Sequence, residues 1–291
     1  MHIVIADSSG VVLQILEDMV KSRGDIVTTF KDGKVAYDYI CENPSVDLLL
    51  TSFELATMSG LELCWETRAL SNERDPIYVL VMSSQDDRHT LVQALDSGAD
   101  DFIRKPPAKE ELEARLRGAQ RLTSMQKELI RLATIDPLTG VYNRRAFFEK
   151  GTAAMVAAKQ TLNVHAVMFD IDHFKNVNDT YGHDIGDIAI QQVSSLAENE
   201  EGTLGRLGGE EFGIILPGFS REQAMEVCER LRQAISEIGI STEEGLLSFT
   251  CSFGVSGMQA GDDIHTILKR ADVALYDAKQ NGRNQVVCLD S

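Results

Sequence analysis

The sequence predicts an α/β protein: a five-stranded parallel sheet domain, one long helix, and a second domain whose strands end in acids. Three observations point there. Short apolar runs alternate with helical patterns through the amino-terminal half, the arrangement that yields parallel strands linked by helices. Residues 109–134 then keep a helical pattern without proline, broken only by Gly118. Beyond them, an apolar run leads into Asp170 and a glycine pair leads into Glu210.

Taken in chain order, the apolar runs place strands at residues 3–6, 26–29, 48–51, 78–82 and 101–103, with helices between. Such a sheet presents functional groups at the carboxyl ends of its strands. Those places hold Asp7, followed by Ser8, then Ser52, Ser83 and Lys105.

The long helix carries two apolar stripes, Leu112, Leu116 and Ala119, then Leu122, Met125, Leu129 and Leu132. The step from Ala119 to Leu122 shortens the repeat and shifts coiled-coil register. The first part, to about Leu122, is expected to pack on the sheet domain, and the remainder to pair with its mate in a dimer. The domains expected are residues 1–122, a helical linker at 123–135, and residues 136–291.

In the second domain, Val164, Ala166, Val167, Met168 and Phe169 form an apolar run of strand length that ends in Asp170 and Asp172. Acids there are costly unless something neutralises them, and magnesium is a natural candidate, a hard cation held by one or two carboxylates with substrate phosphates. Gly208-Gly209-Glu210-Glu211-Phe212 reads as a hairpin tip, because glycine supplies the positive φ that a two-residue turn needs. A solvated tip and a metal site are equal readings of that stretch alone. Residues 271–284 read as a helix ending at a glycine, with Lys279 and Arg283 on one face if its last turn persists. The pair can receive a polyphosphate, although compensation of the helix dipole is the commoner use of such cations.

Taken together, these motifs resemble a GGDEF-type diguanylate cyclase domain over residues 136–289, in the variant whose third signature residue is Glu. The resemblance includes the opening Asp136-Pro137-Leu138-Thr139-Gly140-Val141-Tyr142-Asn143-Arg144-Arg145. It implies a palm-like α+β domain of antiparallel strands flanked by helices that condenses two GTP into cyclic di-GMP, releasing pyrophosphate. By that likeness Asp170, the Ile171 carbonyl and Glu210 bind two Mg2+ ions, with Mn2+ an alternative. Asn178 and Asp187 read guanine. The backbone around His173, Phe174 and Lys175, with Lys279 and Arg283, holds phosphates. Glu211 assists metal binding or removes the 3′-hydroxyl proton, so the catalytic set is Glu210, Glu211 and Asp170. One domain binds one GTP, so a homodimer is required.

The amino-terminal domain resembles a flavodoxin-like response-regulator receiver, through Asp7, Gly60, Ser83, Gly98-Ala99-Asp100-Asp101 and Lys105-Pro106. Ser52 stands where that family carries its phosphoryl-accepting aspartate, and Ser8 where it carries a second acid. A serine lacks the charge that helps bind magnesium and cannot form an acyl phosphate. The receiver is therefore expected to be free of aspartyl-phosphate control and to serve dimerisation or an unidentified protein partner. In the second domain Asn199, Glu200, Glu201 and Gly202 occupy the places of the family's Arg-x-x-Asp product-binding motif, so product inhibition is expected to be weak or absent.

Composition agrees with this reading. At 291 residues the chain has room for two cores. A net charge of −17 argues against nucleic-acid or anionic-membrane partners. The five cysteines lack metal-ligand spacing and are odd in number, as expected of reduced thiols in a cytoplasmic protein. The alternative function is a catalytically idle GTP-binding scaffold, or a nucleotidyl transferase making another product.

Overall fold

The structure, a computed structural model, describes residues 1–70, 76–84, 88–158, 163–243 and 245–289. The chain divides into two compact units, Met1–Ile130 and Arg131–Ser291.

The first unit alternates strand and helix throughout: β1 His2–Ala6, α1 Gly10–Lys21, β2 Ile26–Phe30, α2 Gly33–Glu42, β3 Leu48–Ser52, α3 Gly60–Leu70, β4 Tyr78–Ser83, α4 Arg88–Asp96, β5 Asp101–Arg104 and α5 Lys109–Thr134. Its five parallel strands lie in the order β2-β1-β3-β4-β5. The central strand β3 is buried along its whole length, as its unbroken apolar run requires when helices cover both faces. One face packs Ile3, Ile5, Leu48, Leu50 and Leu80 against Leu13 and Leu16 of α1 and Leu112, Leu116 and Ala119 of α5. The other packs Val4, Leu49, Val79 and Val81 against Ala36, Ile40 and Leu63.

Helix α5 is held beyond Leu122, the limit expected from its stripes. Thr123 is buried, and Lys127 reaches Asp47 ahead of β3 at 2.6 Å. Past that tie, Leu129 is 64% and Leu132 61% exposed, and Met125 is 65% exposed beside it.

The second unit comprises α6 Arg144–Ala157, β6 Val164–Ile171, α7 Phe174–Tyr181, α8 His183–Glu198, β7 Thr203–Gly208, β8 Glu211–Pro217, α9 Arg221–Ser236, β9 Ile240–Thr242, β10 Gly245–Leu247, β11 Cys251–Gly257, α10 Ile264–Gln280 and β12 Val286–Leu289. Its main sheet has the order β12-β11-β6-β8-β7, and β9 and β10 form a separate small hairpin. The palm sheet is not wholly antiparallel: β12 joins β11 in parallel. The physical reason is connectivity, since α10 carries the chain back across the sheet and returns it in the same direction.

Helix starts follow side-chain capping. Asn143 accepts from the Ala146 amide to start α6, Ser220 and Gln223 form a capping box on α9, and Asp263 accepts from Thr266 on α10. Within the sheet, Phe169 lies directly opposite Phe212 on one side and Phe253 on the other. The three rings stack at centroid distances of 5.2 and 4.9 Å and are fully buried. Burial of each such ring stabilises the fold by about 1.5–3 kcal/mol, and together they fasten β6, β8 and β11 one residue behind the acids.

Candidate active site

All eight residues of β6 are buried. Val167, Phe169 and Ile171 face the core formed with α8 and α9, whereas Ala166 and Met168 face α6 and α10. Alternation along the strand puts Asp170 on the second face. Strand β6 continues through Asp170 and Ile171 rather than ending at Phe169, because Asp170 stays in register with Glu211 of β8 and Ser252 of β11. Two carboxylate residues therefore sit side by side on neighbouring strands.

The signature turn closes as its glycines allow. Gly208 pairs with Glu211, leaving Gly209 and Glu210 as the two-residue tip, and Gly209 adopts φ 52°. A positive φ at that first central position is cheapest for glycine.

Burial pushes the Asp170 carboxyl up to about 6; Lys279 opposes the rise, while Glu210 and Glu211 add to it. Lys279 Nζ lies 3.0 Å from Asp170 Oδ2. The sequence pattern assigned Lys279 to phosphate; here its ammonium neutralises the buried acid. The shared helical face of Lys279 and Arg283 does not form. Helix α10 stops at Gln280, and Arg283 lies beyond Asn281 and Gly282 in a left-handed conformation at φ 63°. Its amide bonds back to the Ala278 carbonyl at 3.0 Å.

Asp172 has a function that sequence reasoning missed. It accepts from Thr250 Oγ1 and Ser252 Oγ, both at 2.7 Å, and from the Asn284 amide at 3.1 Å. It thus clamps the turn bearing Arg283 onto the end of β6. Its sequence signal was the cost of a second acid at that strand end; hydroxyls and an amide settle that cost.

His173 immediately precedes helix α7, adopts φ 57° and provides no side-chain cap. The first N–H groups of a helix have no intrahelical acceptor, so the amides at Phe174 and Lys175 face outward as donors suited to an anion. Asn178 lies on the same helix, and its Oδ1 is buried without a partner. Asp187 stands exposed in the opening turns of α8.

Magnesium fits this donor set. Among the described residues no three His, Cys, Asp or Glu side chains form a metal cage. Asp170 is instead a carboxylate whose proton affinity is raised by burial and, beyond that, by the neighbouring Glu210 and Glu211, a surplus of hard oxygen donors. Magnesium is commonly held by one or two carboxylates together with phosphates.

In the first unit, Lys105 is salt-bridged to the buried Asp7 and donates to Ser52 Oγ at 2.6 Å. Ser52 donates onward to the Glu54 carbonyl at 3.0 Å. Ser83 is buried nearby in sequence order at the end of β4, and Ser8 is exposed.

A profile of the diguanylate cyclase GGDEF domain matches residues 133–285, more than half of the chain. The chain belongs to the GGDEF diguanylate cyclase family. A response regulator receiver domain profile matches residues 3–117 ahead of it. Response regulator PleD of Caulobacter vibrioides is 35% identical over 258 residues, 83% of this chain and 56% of PleD. Diguanylate cyclase VdcA of Vibrio cholerae is 38% identical over 176 residues, 58% of this chain and 50% of VdcA. The chain thus spans about half the length of these curated relatives. Among solved structures, the coiled coil and GGDEF domain of DgcB from Caulobacter crescentus, in complex with c-di-GMP, aligns with a TM-score of 0.56 at 32% identity. That alignment covers 61% of this chain and 99% of the DgcB chain. Diguanylate cyclase SiaD in complex with its activator SiaC, from Pseudomonas aeruginosa, aligns with a TM-score of 0.52 at 34% identity, covering 62% and 72%.

Where the GGDEF family's product-binding motif would stand, the structure has Glu200 paired with Arg230, whose Nε donates to it at 3.0 Å. Among the described residues no helix is long and apolar enough to cross a membrane.

Proposed function

We propose that this protein is a diguanylate cyclase that condenses two GTP into cyclic di-GMP and two pyrophosphates. The observation that carries this reading is the direct pairing of Asp170 with Glu211 across β6 and β8, with Lys279 at 3.0 Å and Glu210 in the adjoining turn.

Asn178 and Asp187 read guanine: a carboxylate accepts from N1–H and the 2-amino group, and an amide serves as donor or acceptor. The α7 amides at His173, Phe174 and Lys175, with Arg283, hold phosphates. Lys279 shields Asp170 in the free protein and turns to a phosphate oxygen when nucleotide enters. Asp170, the Ile171 carbonyl and Glu210 would hold Mg2+, or Mn2+. Magnesium bound there supplies charge neutralisation and lowers the pKa of the attacking hydroxyl.

The 3′-oxygen of one GTP forms a bond to the α-phosphorus of the other, the bond from that phosphorus to the β-phosphate bridge oxygen breaks, and pyrophosphate leaves. The 3′-hydroxyl proton passes to Glu211 or to water. Repeating the step in the opposite sense closes the ring. Each protomer contributes one GTP, so two second units must face each other as a homodimer. The exposed Met125, Leu129 and Leu132 of α5 fit a pairing seam for it.

The receiver domain acts without aspartyl phosphorylation, through dimerisation or a protein partner, because Ser52 offers no carboxylate and Lys105 bridges it to Asp7. The domains act as residues 1–122, a linker at 123–135, and residues 136–291. The substrate and the free cysteines fit a cytoplasmic enzyme.

Chromatography of the protein incubated with GTP and magnesium tests the proposal. Cyclic di-GMP with pyrophosphate is expected. Unconsumed GTP points to the idle scaffold and cyclic GMP to a mononucleotide cyclase; either outcome overturns it.

A further inference from the structure

The turn after α10 runs through three consecutive residues of positive φ, Gly282 at 111°, Arg283 at 63° and Asn284 at 45°. Glycine adopts such a backbone freely and asparagine tolerates it, but arginine is disfavoured there. A residue of that kind keeps a left-handed backbone only where its surroundings hold it, and such residues gather at ligand clamps. Two backbone donors do part of the holding: the Arg283 amide bonds to the Ala278 carbonyl at 3.0 Å and the Asn284 amide to Asp172 Oδ2 at 3.1 Å. The third tie comes from α9, a helix that contributes no residue to the site. Arg232 of that helix donates through Nη1 to Asn284 Oδ1 at 2.6 Å.

Glu229, three residues earlier on α9, accepts from Arg232 Nε at 2.8 Å and from its Nη2 at 2.7 Å. That two-point grip fixes the plane of the guanidinium and leaves Nη1 for the turn. The Arg232 side chain is 17% exposed, enclosed against the fold, whereas Arg283 is exposed and open to a ligand. We propose that Arg232 is a positioning residue for nucleotide phosphate: held by Glu229, it pins Asn284 and so keeps Arg283 in the left-handed turn from which its guanidinium meets the phosphates. The inference rests on the phosphate-holding role given to Arg283 above. Without the tie the turn has one anchor fewer, and Arg283 relaxes from the backbone that aims it.

The test is calorimetric binding of 3′-deoxy-GTP with magnesium, a nucleotide that keeps the triphosphate and lacks the attacking hydroxyl, so affinity is read without turnover. It uses the full-length protein and its Arg232→Ala, Arg283→Ala and doubly substituted forms. The α7 amides and Lys279 are the same in all four, so their share of phosphate binding cancels in the comparison. Arg283→Ala is expected to weaken binding about tenfold or more, as loss of a charge-assisted contact does. Arg232→Ala should weaken it by about threefold to tenfold although Arg232 does not touch the nucleotide. In the Arg283→Ala background the same substitution should change affinity less than about twofold, because the pair acts through one contact.

A loss on Arg232→Ala that is equal with and without the Arg283 side chain reports general damage to the second unit and overturns the inference. If Arg283→Ala binds as tightly as the original protein, the phosphate role itself fails and takes the inference with it. If Arg283→Ala is weakened and Arg232→Ala is not, the inference fails alone. Should Arg232→Ala not fold, Asn284→Ala breaks the same bond from the other side and leaves α9 as it is. It should weaken binding to the same extent, and an unchanged affinity there overturns the inference.

Discussion

Arg206 donates through Nη1 to Asp136 Oδ1 at 3.0 Å and through Nε to the Gly209 carbonyl at 2.8 Å. One guanidinium thus joins the first residues after α5 to the tip of the signature hairpin. Burial would raise the Asp136 pKa, but bonds from Thr139 and Arg206 hold it below its usual value, so the anchor is charged at neutral pH. Replacing Arg206 by Ala frees the tip without touching Asp170 or Glu211. Turnover is expected to fall about tenfold or more, the scale on which a misplaced catalytic group is felt, with little change in melting temperature. Asp136→Asn should lose less, and the two should be non-additive in a double-mutant cycle. Unchanged turnover in Arg206→Ala would remove the tether from the mechanism.

Asp170 gives a stability prediction opposite in sign to its catalytic one. Its folded-state pKa of about 6 lies above the ordinary value of 3.8. Between those values the folded chain keeps a proton that the unfolded chain releases, so stability of the metal-free protein falls as pH rises from about 4 to 6. The full cost is roughly 3 kcal/mol at 1.4 kcal/mol per pH unit. Asp170→Asn removes the buried charge and should stabilise the metal-free protein by about 1–3 kcal/mol at neutral pH. The same substitution should abolish cyclic di-GMP synthesis. Urea melts in chelator at two pH values check the first half, and a destabilised variant at neutral pH would contradict it.

Much of this architecture was legible in the sequence, for physical reasons. The five strands of the first unit are apolar runs bounded by polar helices, and each is observed one residue longer than its apolar core suggested. Asp170 stood out because charge at the end of a buried strand needs compensation, and Glu210 because it follows a glycine pair that reads as a hairpin tip. Pairings across long separations were not legible. Arg206 and Asp136 are 70 residues apart and Asp172 and Asn284 are 112 apart, and no local periodicity reports such ties. The three-residue strands β9 and β10 are too short to show a period. The sequence places Arg283 beside Lys279 only if the last helical turn persists, and it does not: α10 ends just before Asn281-Gly282, an ordinary helix stop.

The free end of α5 predicts dependence on assembly. Leu112, Leu116 and Ala119 are fully used by the sheet core, but Met125, Leu129 and Leu132 remain exposed on the protomer. Met125→Glu with Leu129→Glu should leave the first unit folded and lower both the mass by light scattering and the specific activity. Activity should recover at higher protein concentration, as expected when weaker pairing is offset by mass action. Unaltered mass and turnover would show that this seam does not pair.

The receiver site predicts silence toward phosphodonors. In place of an acidic pocket awaiting magnesium, Lys105 is ion-paired with Asp7 and donates to Ser52. Acetyl phosphate or beryllofluoride with magnesium is expected to change neither mass nor turnover, because no carboxylate is present at position 52 to take the phosphoryl group. A clear rise in either would mean that another residue of the first unit accepts phosphate.

The 199–202 stretch predicts an enzyme that its own product does not restrain. Glu200 pairs with Arg230, and Glu201 stands exposed beside it. An incoming phosphodiester would have to displace Glu200 from the guanidinium and approach a second acid, so the site repels the charge that a product-binding loop must attract. Such a surface ion pair adds little stability, yet it removes a cation from use. Calorimetry is expected to detect no tight cyclic di-GMP binding at this loop, and progress curves with added cyclic di-GMP should keep their initial slope. Glu200→Arg, which restores positive charge and frees Arg230, is the variant in which inhibition should first become measurable. Tight binding to the unaltered protein that Arg230→Ala abolishes would show that the loop binds product despite its acids.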